Sequence, residues 1–151
     1  MNDDFRDLLR ALVASQARFL VVGAHALAFH GVVRATLALD VWVEPTPDNA
    51  KRVWSALAEF GAPLHALRIA AGDFTKPNAL VQFGSPPNRI DILTTISGLK
   101  FDAAWADRVE SEVDGVTIPF LGRDHLIANK RAAGRKKDLS DLEALRVSPE
   151  P

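Results

Sequence analysis

Apolar residues recur along the chain at both helix and strand spacing. A stripe of apolar positions repeating every three or four residues predicts a first helix over roughly residues 3–15. The apolar run RFLVV, residues 18–22, predicts a short buried strand that ends at Gly23. The following segment, AHALAFH, predicts a short helix that stops at Gly31. The amino-terminal third of the chain is therefore expected to alternate helices with strands.

The same patterns continue to the carboxyl end. A second strand is predicted at RATLALDVWV, residues 34–43, whereas residues 64–78 have no clear pattern. The remaining predicted elements are a helix from about 46 to 60, strands at 80–83 and 89–94, a helix at 101–108, a hairpin at 109–120 that turns at Asp114-Gly115, and two closing helices at roughly 123–133 and 138–146.

These elements predict the fold class. They indicate an α/β (α+β) protein in which a small mixed β-sheet is flanked by helices, with two helices at the carboxyl end. The chain has 151 residues, without an internal repeat or a linker long enough to separate two domains. A single domain over residues 1–151 is expected.

Two strands carry an acid in an otherwise apolar setting. In the second strand the odd positions from 37 to 43 are all apolar, and the other face carries Ala38, Asp40 and Trp42. In NRIDILTTI, Asp91 lies on the face opposite its apolar neighbours. A buried carboxylate without a partner is costly, so each acid is expected to meet a metal ion or an arginine. Arg34 and Arg89 are candidates for a purely structural pairing.

The strand–glycine–helix junction VVGAHAL is a third candidate feature. Free N–H groups at a helix start suit a phosphate, although many such turns carry glycine for conformational reasons alone.

Trp42 either lines a pocket or packs in the core. His25, His30, His65 and His125 lack the spacing of a zinc site, and a packed or helix-end role is favoured for His30.

In combination, these motifs resemble the nucleotidyltransferase superfamily, whose fold is shared with DNA polymerase beta. The resemblance is closest to the AbiEii- and MenT-like branch of toxin–antitoxin and phage-defence systems and its small uncharacterised relatives, which look like VGG-x-A-x-x-x-HG-x-x-R-x-T-x-D-x-D-x-W-V-x-P. PPNRIDILTTISG resembles their third-carboxylate strand, and LIANKRAAGRKKDLSDLEAL resembles their closing helices. The residues that match the first motif are Gly23, Ala26, His30, Gly31, Arg34, Thr36, Asp40, Trp42, Val43 and Pro45.

The resemblance implies transfer of a nucleoside monophosphate from an NTP to an acceptor, with two Mg²⁺ ions held by three carboxylates. In these terms Asp40 matches the second carboxylate and Asp91 the third, and the first is replaced by Ala38. The nucleotide-binding positions that the resemblance implies are Gly23, Ala24, Arg34, Thr36 and Lys130.

Alanine cannot bind a metal, so two interpretations of Ala38 stay open. The chain is either a degenerate, inactive relative or an otherwise intact enzyme with an inactivating Asp→Ala substitution. The other residues that the resemblance implies for the site are present, which favours the second interpretation. The rival functions are a non-catalytic, antitoxin-like binding or regulatory module, and a domain whose acids are only structural. The resemblance implies as partners an NTP, an RNA (such as tRNA) or protein acceptor, and a cognate antitoxin or a second copy of the chain.

Composition narrows the setting only modestly. The net charge of −1 gives no overall attraction to nucleic acid, so any such attraction must be local. The basic run over residues 123–137 is such a patch, with a solvated helix face as its simpler explanation. The absence of cysteine suits a reducing compartment. No apolar run is long enough to cross a bilayer, so a cytoplasmic protein without a membrane partner is expected.

Overall fold

Most predicted elements are present in the computed structural model, which describes residues 1–147. In chain order they are α1 (Asp3–Ala14), β1 (Phe19–Val22), α2 (Gly23–Phe29), β2 (Ala38–Val43), α3 (Pro47–Phe60), a 3-10 helix (Ala71–Thr75), β3 (Leu80–Phe83), β4 (Arg89–Leu93), α4 (Phe101–Ala106), β5 (Val109–Val113), β6 (Val116–Phe120), α5 (Arg123–Ala133) and α6 (Lys136–Ala144).

The six strands form one mixed sheet in the order β3-β4-β2-β1-β6-β5. The central strand β2 pairs with β1 in antiparallel and with β4 in parallel orientation. Helices cover both faces, which confirms the expected sheet flanked by helices. No helix within residues 1–147 has both the length and the apolar content needed to cross a membrane.

Two apolar cores lie on opposite faces of the sheet. One contains Leu39, Val41 and Val43 of β2 together with residues of α1 and α3. The other contains Trp42 of β2 together with residues of α2, α4, α5 and α6. Trp42 is buried and its indole N–H donates to the carbonyl of Thr94 at 3.2 Å, so it has the core role rather than a pocket role.

The second strand is shorter than its sequence predicts. It begins at Ala38 rather than at residue 34, and Leu37 is 59% exposed instead of sharing the core face. The pairing explains the difference, because the last partners of this strand end are Val22 opposite Asp40 and Arg89 opposite Ala38. Residues 34–37 have no strand beside them and form a loop.

The last helix begins two residues earlier than predicted, at Lys136. The carboxylate of Asp138 accepts a hydrogen bond from the backbone N–H of Arg135 at 3.2 Å, which caps the helix start. Apart from the start of β2, the predicted ends of the other helices and strands differ from the observed ends by at most two residues.

Candidate active-site cleft

Asp40 and Asp91 lie side by side on neighbouring strands. They are register partners in the parallel pair β2–β4, and both point to the face covered by the carboxyl-terminal helices. Asp91 is 7% exposed. The strand pattern therefore predicted correctly that these two acids share a face and meet across adjacent strands. Two close carboxylates in a cleft form a local centre of negative charge.

This proximity changes the proton affinity of Asp40. Burial raises the pKa of Asp40 to about 7, and the hydrogen bond with Asp91 and the charge of Asp91 add to the effect. The charges of Arg89 and Lys137 act in the opposite direction. A carboxyl group that changes charge near neutral pH, beside a second acid in a cleft, is typical of functional sites.

Gly23 lies directly against Asp40. The backbone at Gly23 has φ of +65°, a conformation that residues with a side chain rarely adopt. A Cβ at this position would also collide with the Asp40 carboxylate. Both the conformation and the close approach thus require glycine. The junction between β1 and α2 is held against the acidic pair, and Ala24 follows it in the cleft wall.

Ala38 and Arg89 are also register partners, two residues before Asp40 and Asp91 on the same two strands and therefore on the same face. The guanidinium of Arg89 makes a two-pronged contact with Asp91, with Nε to Oδ1 at 2.9 Å and Nη2 to Oδ2 at 3.1 Å. The structural pairing of an acid with Arg89 is thus observed for Asp91. Ala38 is buried and adds no polar group.

The residues do not fit a three-carboxylate, two-metal site. Within residues 1–147, no group of three histidine, cysteine, aspartate or glutamate side chains is placed to hold a metal ion. Position 38 supplies no ligand, and both oxygens of Asp91 already accept from Arg89. Mg²⁺ requires several well-placed oxygen ligands. The expectation of two Mg²⁺ ions is therefore unsupported for the chain as it stands.

Lys130 lines the cleft, but two acids hold its amine. Its Nζ lies 3.3 Å from Asp138 and 3.0 Å from Asp141, and all three residues are buried. Arg34 binds the same Asp141 through Nε at 3.0 Å, and Arg135 binds Asp138 at 2.7 Å. Asp141 thus pairs with Arg34 and Lys130 rather than with Arg135. This network fastens α5, α6 and the loop before β2 together.

The network keeps Asp138 charged. Burial favours the neutral acid, yet the hydrogen bonds from Arg135 and the charge of Lys130 together outweigh it and lower the pKa of Asp138. A contact between Lys130 and phosphate stays a prediction, because its amine is buried and already contacts two carboxylates.

Lys137 is the cation that sequence reasoning did not single out. It lines the cleft, and its charge helps to lower the pKa of Asp40. Within the described part of the chain its side chain makes no hydrogen bond or ion pair. The motif drew attention to Lys130 instead, and only the packing of α6 against the rest of the fold reveals Lys137 at the cleft.

Thr36 and His30 have local roles. The hydroxyl of Thr36 donates to the Ala38 carbonyl at 2.8 Å and accepts from its N–H at 3.2 Å, so it fixes the start of β2 at the cleft wall. His30 ends α2 and contacts the carbonyl of Leu121 through Nε2 at 2.8 Å. His30 is therefore a helix-end anchor, as its position indicated.

The cleft has a volume of about 740 Å³, within the range of ligand sites. Its walls come from the β1–α2 junction, the loop before β2, strands β2 and β4, and helices α5 and α6. The predicted residues Gly23, Ala24, Arg34, Thr36, Ala38, Asp40, Asp91 and Lys130 all line it. The cationic residues of the lining are Arg34, Arg89, Lys130, Arg135 and Lys137, and its carboxylates are Asp40, Asp91 and Asp141.

Comparison with known proteins supports the fold. No protein-family model and no curated protein matches the sequence. The structure is similar to the crystal structure of a proposed nucleotidyltransferase from Thermotoga maritima, with a TM-score of 0.57 and 16% sequence identity. The similarity covers 94% of this chain and 88% of the other. The chain has a nucleotidyltransferase-like fold, and the cleft lies on the face that carries Asp40 and Asp91.

Proposed function

We propose that the cleft binds a nucleoside triphosphate and that the chain derives from a nucleotidyltransferase whose transfer step is disabled by Ala38. The single observation that carries the proposal is the register pairing of Asp40 with Asp91 against the Gly23 turn. The nucleotidyltransferase-like fold supports the same assignment.

The phosphates would lie between the Gly23 turn and the basic side of the cleft. Gly23 and Ala24 line the cleft on one side, and the basic side chains of β4, α5 and α6 line the other. Arg34 and Thr36 shape the remaining wall through their contacts with Asp141 and with the start of β2. This arrangement would orient the triphosphate along the acidic pair.

Transfer of the nucleotidyl group needs more than the chain provides. An acceptor oxygen attacks the α-phosphorus, the bond to the β-phosphate oxygen breaks, and pyrophosphate leaves with the accumulated charge. A carboxylate at position 38 would lie beside Asp40 on the same strand face and would complete a metal-binding set. We propose a pair of Mg²⁺ ions only for an Ala38→Asp form.

A transfer assay tests this proposal. The chain and its Ala38→Asp variant are incubated with each labelled NTP, Mg²⁺ and cell extract, and label on RNA or protein is measured. The variant is expected to transfer at least about 10²-fold faster, the scale lost with one transition-state stabiliser. Adding Asp91→Asn to Ala38→Asp should abolish the gain. Equal rates for the chain and the variant would contradict the role given to position 38.

The second candidate function is a non-catalytic nucleotide-binding or regulatory module. The contact of Arg89 with both oxygens of Asp91, beside an apolar Ala38, favours it. If the Ala38→Asp form binds NTP but transfers nothing from any of the four, this module is the correct assignment.

The biological setting belongs to the same proposal. By its motifs the chain belongs with toxin–antitoxin or defence components, with an RNA or protein acceptor and a cognate antitoxin or a second copy as partner. It would act in the cytoplasm. Digesting the labelled extract with ribonuclease or with protease identifies the acceptor class. Label that survives both digestions would contradict an RNA or protein acceptor.

A further inference from the structure

We propose that Arg89 and Lys137 bind the triphosphate directly, so that this cleft takes an NTP without a divalent cation. The inference rests on the proposed function, since it names how that nucleotide is held. It departs from the metal-dependent binding that the fold family implies.

Arg89 retains donors for a second acidic group. A guanidinium has five N–H donors, and the contact with Asp91 uses Nε and one hydrogen of Nη2. The remaining donors lie on a side chain that is 32% exposed and lines the cleft. A phosphate oxygen can therefore bind Arg89 without displacing Asp91, and such charge-assisted bonds are about twice as strong as neutral ones.

Alanine at position 38 leaves the positive charge of Arg89 available to a phosphate. Ala38 is the register partner of Arg89, so a carboxylate at that point would add a second acid beside Arg89. With alanine there, Asp91 is the acid that pairs with Arg89 among the described residues. Alanine at position 38 thus has two consequences: a metal ligand is missing, and Arg89 is available.

Lys137 supplies the second cation from the other side. It lines the cleft from α6, near enough to Asp40 to influence its pKa, and its side chain has no partner within residues 1–147. By contrast, Arg34, Lys130 and Arg135 contact Asp138 and Asp141, at the α5–α6 side of the cleft. Lys137 and the remaining donors of Arg89 therefore provide positive charge near the acidic pair, since both residues line the cleft and both charges act on Asp40.

The balance of charge favours a phosphate over a metal ion. Five cationic side chains line the cleft against three carboxylates. Mg²⁺ at the acidic pair would lie beside the Arg89 guanidinium and would have to break the bidentate Arg89–Asp91 contact. A triphosphate, which is strongly anionic, would meet complementary charge. The arginine therefore occupies the role that the metal has in a three-carboxylate site.

The test measures ATP affinity by titration calorimetry at low salt, in MgCl₂ and separately in EDTA. For the unchanged chain, the two dissociation constants are expected to agree within about threefold, because no metal is required. In EDTA, Lys137→Ala and Arg89→Lys should each weaken binding about tenfold, the scale of one charged hydrogen bond. Lys136→Ala is the matched control and should stay within twofold, since Lys136 does not line this cleft.

Arg89→Lys is used because it keeps a positive charge near Asp91, and a thermal melt of each variant confirms that it is folded. Binding that needs Mg²⁺ and is insensitive to Lys137 would overturn the inference and leave the proposed function intact. An equal loss of ATP affinity in Lys136→Ala and Lys137→Ala would also overturn it, since the overall positive charge of this region would then explain binding. No ATP, GTP, CTP or UTP binding in either buffer would instead refute the proposed function.

Discussion

Ala38 and Arg89 are register partners at the ends of two parallel strands, and Asp40 and Asp91, two residues further along, are the next register pair on the same face. The four residues form a small square with two acids, one arginine and one apolar corner. Because Arg89 contacts both oxygens of Asp91, the acids of this square are unequal. Asp91 has a fixed cationic partner, and Asp40 has a pKa raised to about 7 by burial and by Asp91.

The raised pKa of Asp40 predicts a pH-dependent stability. Its folded-state value is about 7 against a usual 3.8, so folding favours the protonated acid. The chain then loses stability from this group as the pH rises from about 4 to 7. Asp40→Asn mimics the protonated form. Without metal, its advantage over the unchanged chain should be larger at pH 8 than at pH 5, by on the order of 2 kcal/mol.

Urea unfolding of both proteins at the two pH values checks this expectation. Glu59→Gln, which removes an exposed carboxylate on α3, is the control and should show no comparable difference. An advantage of Asp40→Asn that is equal at both pH values would mean that Asp40 is not held in its neutral form.

Alanine substitutions at Gly23 and at Gly31 form a matched comparison that tests the close approach of Gly23 to Asp40. Both have positive φ, so an alanine at either position adds backbone strain of about 1 kcal/mol. Only at Gly23 does the new Cβ collide with Asp40, since nothing lies within 4 Å at Gly31. Gly23→Ala should therefore destabilise more than Gly31→Ala and should also weaken nucleotide binding, which thermal melts and titrations measure.

One result of this comparison would contradict the role of the Gly23–Asp40 contact. If Gly31→Ala destabilises the protein as much as Gly23→Ala, and both bind nucleotide normally, the contact between Gly23 and Asp40 does not position the cleft.

Lys130 is expected to stabilise the fold rather than to act mainly on nucleotide. Lys130→Met keeps much of the volume of the side chain but leaves Asp138 and Asp141 facing each other with less positive charge. Removing one member of a buried ion network commonly costs about 3–5 kcal/mol. The free energy of unfolding, measured in urea at neutral pH, should fall by that order.

The double variant Lys130→Met with Asp141→Asn provides the control for that result. It removes one of the acids that Lys130 neutralises, so it should recover part of the lost stability. A Lys130→Met protein with unchanged stability but much weaker NTP affinity would return Lys130 to the phosphate-binding role that the motif implies.

Sequence periodicity was sufficient to predict the strands that carry the site and the direction of their acids. Alternation in β2 and β4 identified Asp40 and Asp91 as acids on the same face, because side chains of a strand point to alternate sides. The Gly23 junction was identified by its place between an apolar strand and a helix. Residue 38 was assigned by the same period. These are local properties, and a single sequence expresses them directly.

Arg89 and Lys137 show what periodicity does not reveal. The bidentate contact of Arg89 depends on its rotamer and on the register of β4 against β2. The availability of Lys137 depends on how α6 packs beside the cleft and on Asp138 and Asp141 being paired with other cations. Leu37 was assigned to the core face because its own pattern fits, but no neighbouring strand extends that far. Each of these outcomes depends on long-range partners.

The most direct test of the central claim maps nucleotide binding onto the chain by NMR. Backbone amide signals are followed while ATP is added to the unchanged protein, in EDTA and then in MgCl₂. If ATP binds in this cleft, the signals of Gly23, Ala24, Thr36 and Lys137 shift with a common dissociation constant, while the signal of Gly115, in the distant β5–β6 turn, stays unchanged. Saturable shifts confined to another surface, or no saturable shift with any of the four NTPs, would contradict the assignment of this cleft as a nucleotide site.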